Sequence, residues 1–143
     1  MDEPRHIESS RLWWLAPLVL ATSILAVLAV REIAIRVVHP KPSFQPLTVG
    51  PPILDTTLGC LGAIFVFGSM VFYEDSVRKY RRVAIVVLLV SFIPDVLLAT
   101  SHEMGGGWAE ASFLMIMHVV VWAICVTLLP ILAIPEKRAG TEP

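Results

Sequence analysis

Charge is scarce in this sequence. Only 16% of its 143 residues are Asp, Glu, Lys or Arg, against about 25% in ordinary soluble domains. The 11 basic and 12 acidic side chains nearly cancel, leaving a net charge of −1. No concentrated excess of Lys and Arg exists to neutralise phosphates, so nucleic acid is excluded as a partner. Two cysteines, Cys60 and Cys125, make no disulfide framework, and no C-x-x-C pair exists for thiol exchange. Internal repeats and low-complexity tracts are also missing. What the chain has in excess is apolar side chains, 56% of the total, with a mean hydropathy of +0.75. That balance describes a small integral membrane protein in one domain, embedded in the lipid bilayer.

A helix rises about 1.5 Å per residue, so crossing a hydrocarbon core of about 30 Å takes about 20 apolar residues. Four stretches qualify, at residues 12–30, 53–73, 83–101 and 111–135. They lack the period-2 alternation of barrel strands, and irregular backbone cannot face lipid. The expected fold is all-α, a four-helix transmembrane bundle. The first stretch follows a segment carrying Asp2, Glu3 and Glu8 and is not trailed by a small-x-small site. It reads as a retained helix rather than a signal peptide.

Orientation follows the distribution of Lys and Arg. With four spans, Arg5, Arg11, Arg78, Lys79, Arg81, Arg82, Lys137 and Arg138 fall on one side, and Arg31, Arg36 and Lys41 on the other. Eight against three places both termini in the cytoplasm. In the first connection, Pro40, Pro42, Pro46, Pro51 and Pro52 oppose helix. Residues 31–38 can extend the first helix, with Glu32 and Arg36 as an i,i+4 ion pair. The short connection 74–82 makes helices two and three antiparallel neighbours, and Gly105-Gly106-Gly107 turns the chain into the fourth.

In that orientation the ionisable groups gather in the outward half. Asp55 opens the second helix; Asp95, His102 and Glu103 lie toward the outer end of the third; Glu110 opens the fourth, with His118 about two turns deeper. Helical spacing places Asp55, Gly59, Gly62, Val66 and Ser69 on one face, Ser91, Asp95, Leu98 and His102 on another, and Met115, His118, Trp122 and Cys125 on a third. The small face of the second helix suits close approach to a neighbour. These groups form a candidate ion or proton site.

Each has an ordinary reading as well. Asp55 follows Pro51-Pro52, where an acid suits the helix dipole. Pro94 opens a kink beside Asp95, and carboxylates within a span are costly enough to be functional as a rule. His118 serves equally as an interhelical hydrogen-bond donor, a proton relay or a metal ligand. His102, Met115 and His118 have the chemistry of a copper site, and His118 with a methionine that of a haem site. Methionines are also common fillers of apolar interfaces, so the expectation is no cofactor. Counted in turns from their helix starts, Cys60 and Cys125 lie at different depths, too far apart for a disulfide. Trp13, Trp14 and Trp108 read as interfacial anchors, and Thr22-x-x-x-Ala26 and Gly59-x-x-x-Ala63 as packing faces.

The cadence of residues 77–82, the aliphatic run 83–90, Pro94, Met117-His118 and Pro130 resembles a family of small four-helix bacterial membrane proteins of unknown function. The likeness covers about residues 60–134. It implies a bacterial inner-membrane location and four-helix topology, and no activity.

Three functions are compatible with these features. First in expectation is an accessory or structural subunit that uses the polar cluster to dock other membrane subunits or a second copy of itself. A small proton- or cation-coupled transporter working as an oligomer is the next. The last is a membrane enzyme acting on a lipid-soluble substrate, with Asp95 and His118 as an acid–base pair.

Overall fold

The structure, a computed structural model, describes residues 9–70, 73 and 75–133. Among them the chain forms four long helices and no strand: α1 (Ser9–Val38), α2 (Gly50–Met70), α3 (Ser76–Ser101) and α4 (Trp108–Ala133). Each contains a segment long and apolar enough to cross a membrane. Their exposed positions are crowded with Leu, Ile, Val and Phe, such as Leu25, Leu58, Phe65, Val86, Leu89 and Leu97. So much contiguous apolar surface is untenable in water and ordinary against lipid.

Compared with the expected boundaries, α2 begins earlier, at Gly50. Pro51 and Pro52 sit inside its first turn, where the missing N–H has no intrahelical partner to lose. Likewise α1 continues to Val38, as the sequence allowed. The expected Glu32–Arg36 pair is replaced by Arg31–Glu32 at 2.7 Å. Arg31 is drawn there because its Nε donates to the Leu47 carbonyl at 2.8 Å, which turns Nη1 toward Glu32.

α1 and α4 form the best-packed pair, α3 lies against α4 and α2 against α1, while α2 and α3 pack together sparsely. A stripe on α1, Leu15, Val19, Ser23 and Val27, is buried at i,i+4 spacing. At the end near the α2–α3 connection, it joins Cys60 and Phe67 of α2, Tyr80 of α3 and Cys125, Val126 and Leu129 of α4. Phe67 and Tyr80 meet there edge to face, ring centroids 5.1 Å apart.

The opposite end is closed by the two remaining connections and is here called the capped end. Phe44 and Leu47, from the α1–α2 connection, are buried with Val27, Ala34, Leu114 and Met117. Ser43 Oγ donates to the Met104 carbonyl at 3.0 Å, tying the two connections together. The α3–α4 reversal places His102, Met104 and Gly105 in the left-handed region, so α3 stops sharply at Ser101. Gly106 lies directly under the Phe44 ring, and a Cβ there would collide with the ring's Cε2 and Cδ2.

Because Phe44 is buried, its ring cannot swing away cheaply. Gly106→Ala is therefore expected to lower stability by about 1–3 kcal/mol, the usual cost of overpacking. In a denaturant or thermal titration, Phe44→Ala combined with Gly106→Ala should cost less than the two single changes summed. Strict additivity would contradict the contact.

Candidate functional site

The sparse packing of α2 on α3 leaves a groove between them, with α4 as its floor and Val27 of α1 at one side. Its volume is about 790 Å³. Gly59 and Gly62 face it from α2, and nothing lies within 4 Å of where their Cβ atoms would be. This corrects the expectation for that face: its small residues border open space rather than a closely packed neighbour. In lipid, whose tails are as apolar as Leu, no hydrophobic force would draw two such helices shut.

Three of the ionisable residues singled out in the sequence line this groove: Asp55, Asp95 and His118. Asp95 is the most enclosed of them, at 6% exposure. α3 continues through Pro94, which lines the groove beside it. His118 reaches it from α4, with Nε2 3.6 Å from Asp95 Oδ2. That separation is an electrostatic contact just beyond hydrogen-bond length, and Oδ2 is buried without a hydrogen-bond partner among the described residues. The Phe92 ring lies nearly parallel to the imidazole, 8° off plane with centroids 6.4 Å apart. Asp55 is more exposed and lies within electrostatic reach of both Asp95 and His118.

The other candidates stand apart from this group. Glu110 is a capping residue: its Oε2 accepts the Gly107 N–H at 2.9 Å, satisfying a donor left free at the start of α4. His102 is the exposed left-handed residue that ends α3. Neither it nor Met115 lines the groove, so the copper-like set His102, Met115 and His118 does not converge there. Glu103 falls in the short turn after α3, and its side chain is outside the described residues. Among the described residues no three His, Cys, Asp or Glu side chains form a metal shell.

Two features go beyond what helical spacing gives. Trp122, one turn below His118, lines the groove and buries its indole Nε1 without a partner. Cys60 and Cys125 are in contact, Sγ to Sγ 3.9 Å, and both are buried free thiols. The expected difference in depth is wrong because the helices do not start level. The two sulfurs meet, yet α2 begins ten residues before Cys60 and α4 seventeen residues before Cys125. α4 therefore starts about 10 Å beyond α2 at the capped end, at about 1.5 Å per residue.

No protein-family model, curated protein or solved structure matches this chain. The site has to be read from its own geometry.

That geometry offers an apolar trough with a carboxyl and an imidazole 3.6 Å apart, and an Asp95 Oδ2 that no described residue hydrogen-bonds. Glu110, by contrast, has a purely local task. Glu110→Ala should lower stability by about 0.5–2 kcal/mol, as loss of a helix-start cap does, while Glu110→Gln keeps an acceptor oxygen and should lose less. Equal losses in a melting experiment would contradict the capping role.

Proposed function

We propose that this chain is a multi-pass protein of the bacterial inner membrane, with both termini cytoplasmic, that takes a lipid-soluble molecule into the groove and engages its polar group at Asp95 and His118. The observation that carries the reading is the buried Oδ2 of Asp95, without a hydrogen-bond partner and 3.6 Å from His118 Nε2, at the edge of a groove of about 790 Å³. An acid in that position is expensive in hydrocarbon. A ligand group that donates to it, or a proton shared with His118, offsets the cost.

Size supports a small ligand: the volume of about 790 Å³ lies within the range of about 300–1,000 Å³ common to ligand sites. Orientation is supported by Arg78, Lys79, Arg81 and Arg82, all exposed at the end opposite the cap, where positive residues favour the cytoplasm. The bacterial setting rests on the family resemblance of residues 60–134.

An accessory role takes second place. The open flank at Gly59 and Gly62 is the kind of surface a partner helix packs against, and it keeps a docking function in view.

The protein extracted in native-lipid discs and examined by native mass spectrometry should carry one lipid-soluble molecule per chain. Gly59→Leu and Gly62→Leu, for which the structure has room, should compete with the ligand for the groove and lower its retention while leaving the bundle folded. Asp95→Asn should weaken retention about 10- to 150-fold, the equivalent of about 1.5–3 kcal/mol for a bond to a charged group. A stable heteromer with an empty groove would contradict this reading and favour the accessory subunit.

A further inference from the structure

One face of α4 carries His118, Trp122 and Cys125 into the same groove, at i, i+4 and i+7. Read from the capped end, it presents an imidazole beside a carboxyl, then an indole N–H with no acceptor, then a thiol. Cys125 borders the groove, and Cys60 stands behind it on α2, sulfur to sulfur at 3.9 Å. The ligand that completes this row has an apolar body, an oxygen near His118 and a second oxygen near Trp122, about 6 Å further along the helix. That rise is comparable to the separation of the two carbonyl oxygens of a para-quinone ring, and Cys125 follows on the next turn of the same groove face.

We infer that the groove binds a lipid-soluble quinone and that Cys60 and Cys125 are its redox partner, a buried dithiol that the quinone oxidises to a disulfide joining α2 to α4. The inference rests on the ligand-binding reading given above and names its ligand class.

The step balances without a further reactant. The Cys125 sulfur adds to a ring carbon, forming a C–S bond, and its proton passes to a ring oxygen. The Cys60 sulfur then attacks the Cys125 sulfur: the S–S bond forms, the C–S bond breaks, and the electron pair returns to the ring. The Cys60 proton goes to the second oxygen, and a hydroquinone leaves. The dithiol loses two electrons and two protons and the quinone gains both. Closing the sulfurs to a bond of about 2 Å asks for a movement of about 2 Å, within reach of side-chain rotation and a small shift of α2, which has an open flank on the groove side. The Trp122 N–H and the His118–Asp95 pair bind and orient the two oxygens.

The test uses the full chain in lipid nanodiscs, reduced, freed of reductant and kept anaerobic, with decylubiquinone as the probe. Binding is measured with tritiated quinone in the Cys125→Ser variant, which lacks the thiol that adds to the ring. Oxidation is measured in the wild type by maleimide mass-tagging after denaturation and by the absorbance change of quinol formation. The expected result is saturable binding, loss of both free thiols, one quinol per chain and a monomer on a non-reducing gel. Cys125→Ser should yield no quinol, and Cys60→Ser should release none while retaining the quinone as an adduct on Cys125. Trp122→Phe should weaken binding about 5- to 10-fold, as loss of one hydrogen bond does, and Gly59→Leu should lower both binding and oxidation. Saturable binding with both thiols intact would overturn the dithiol chemistry and leave the ligand-binding reading standing. A disulfide formed by diamide but not by quinone, with no quinone bound, would overturn the quinone assignment. Oxidation by quinone that is undiminished in Gly59→Leu would place the reaction outside the groove and overturn the inference as well.

Discussion

Phe67 and Tyr80 hold α2 against α3 near their short connection, while Phe44, Ser43 and Leu47 clamp the far end through α1, α4 and the α3–α4 turn. Between those two fixings nothing obliges α2 and α3 to close. In water, exposed apolar faces would be driven together. In a bilayer the tails are as apolar as the side chains, and only packing, hydrogen bonds and lipid entropy decide. Gly59 and Gly62 have no side chains with which to reach across. The groove is the consequence, and everything argued about function depends on its staying open.

Its floor is where polar chemistry collects. α4 packs against both α1 and α3, which makes it the helix best placed to carry side chains into the interior. His118, Trp122 and Cys125 are spaced along it so that each meets the groove at a different depth. α3 contributes few buried residues, and one of them is Asp95. A carboxyl enclosed to this degree is tolerated where it finds a partner. His118 supplies one, at a distance that leaves room for a proton or a ligand group to complete the geometry.

Much of this was legible in the residues themselves. Four apolar runs of spanning length mark the helices, because no other segment could satisfy its backbone inside hydrocarbon. Spacing of three and four put Asp95 and His118 on interior faces, and both do line the groove. Glu110 was legible too, as an acid at the third position of a helix following Gly107, which is a capping pattern; read as part of a cluster, it was given the wrong task. The contact of Cys60 with Cys125 was hidden, since depth counted along each helix says nothing of how far one helix is displaced against another. The open groove was hidden for a related reason. A run such as Gly59-x-x-Gly62-Ala63 looks the same whether a neighbour presses on it or lipid does, and only the positions of α3 and α4 distinguish the two. Nor does the sequence announce that Phe44 lies on Gly106, a pairing made by two connections 61 residues apart where Ser43 meets Met104.

The most direct measurement is of the groove itself. A nitroxide attached at position 62, in a Gly62→Cys chain with Cys60 and Cys125 replaced by Ala, reports by electron paramagnetic resonance whether α2 and α3 stand apart in a bilayer. An open groove predicts a mobile label with high collision rates for oxygen, which partitions into lipid, and low rates for a water-soluble nickel chelate. An immobilised label shielded from oxygen would show that the two helices close against each other, and the account built on the space between them would fail.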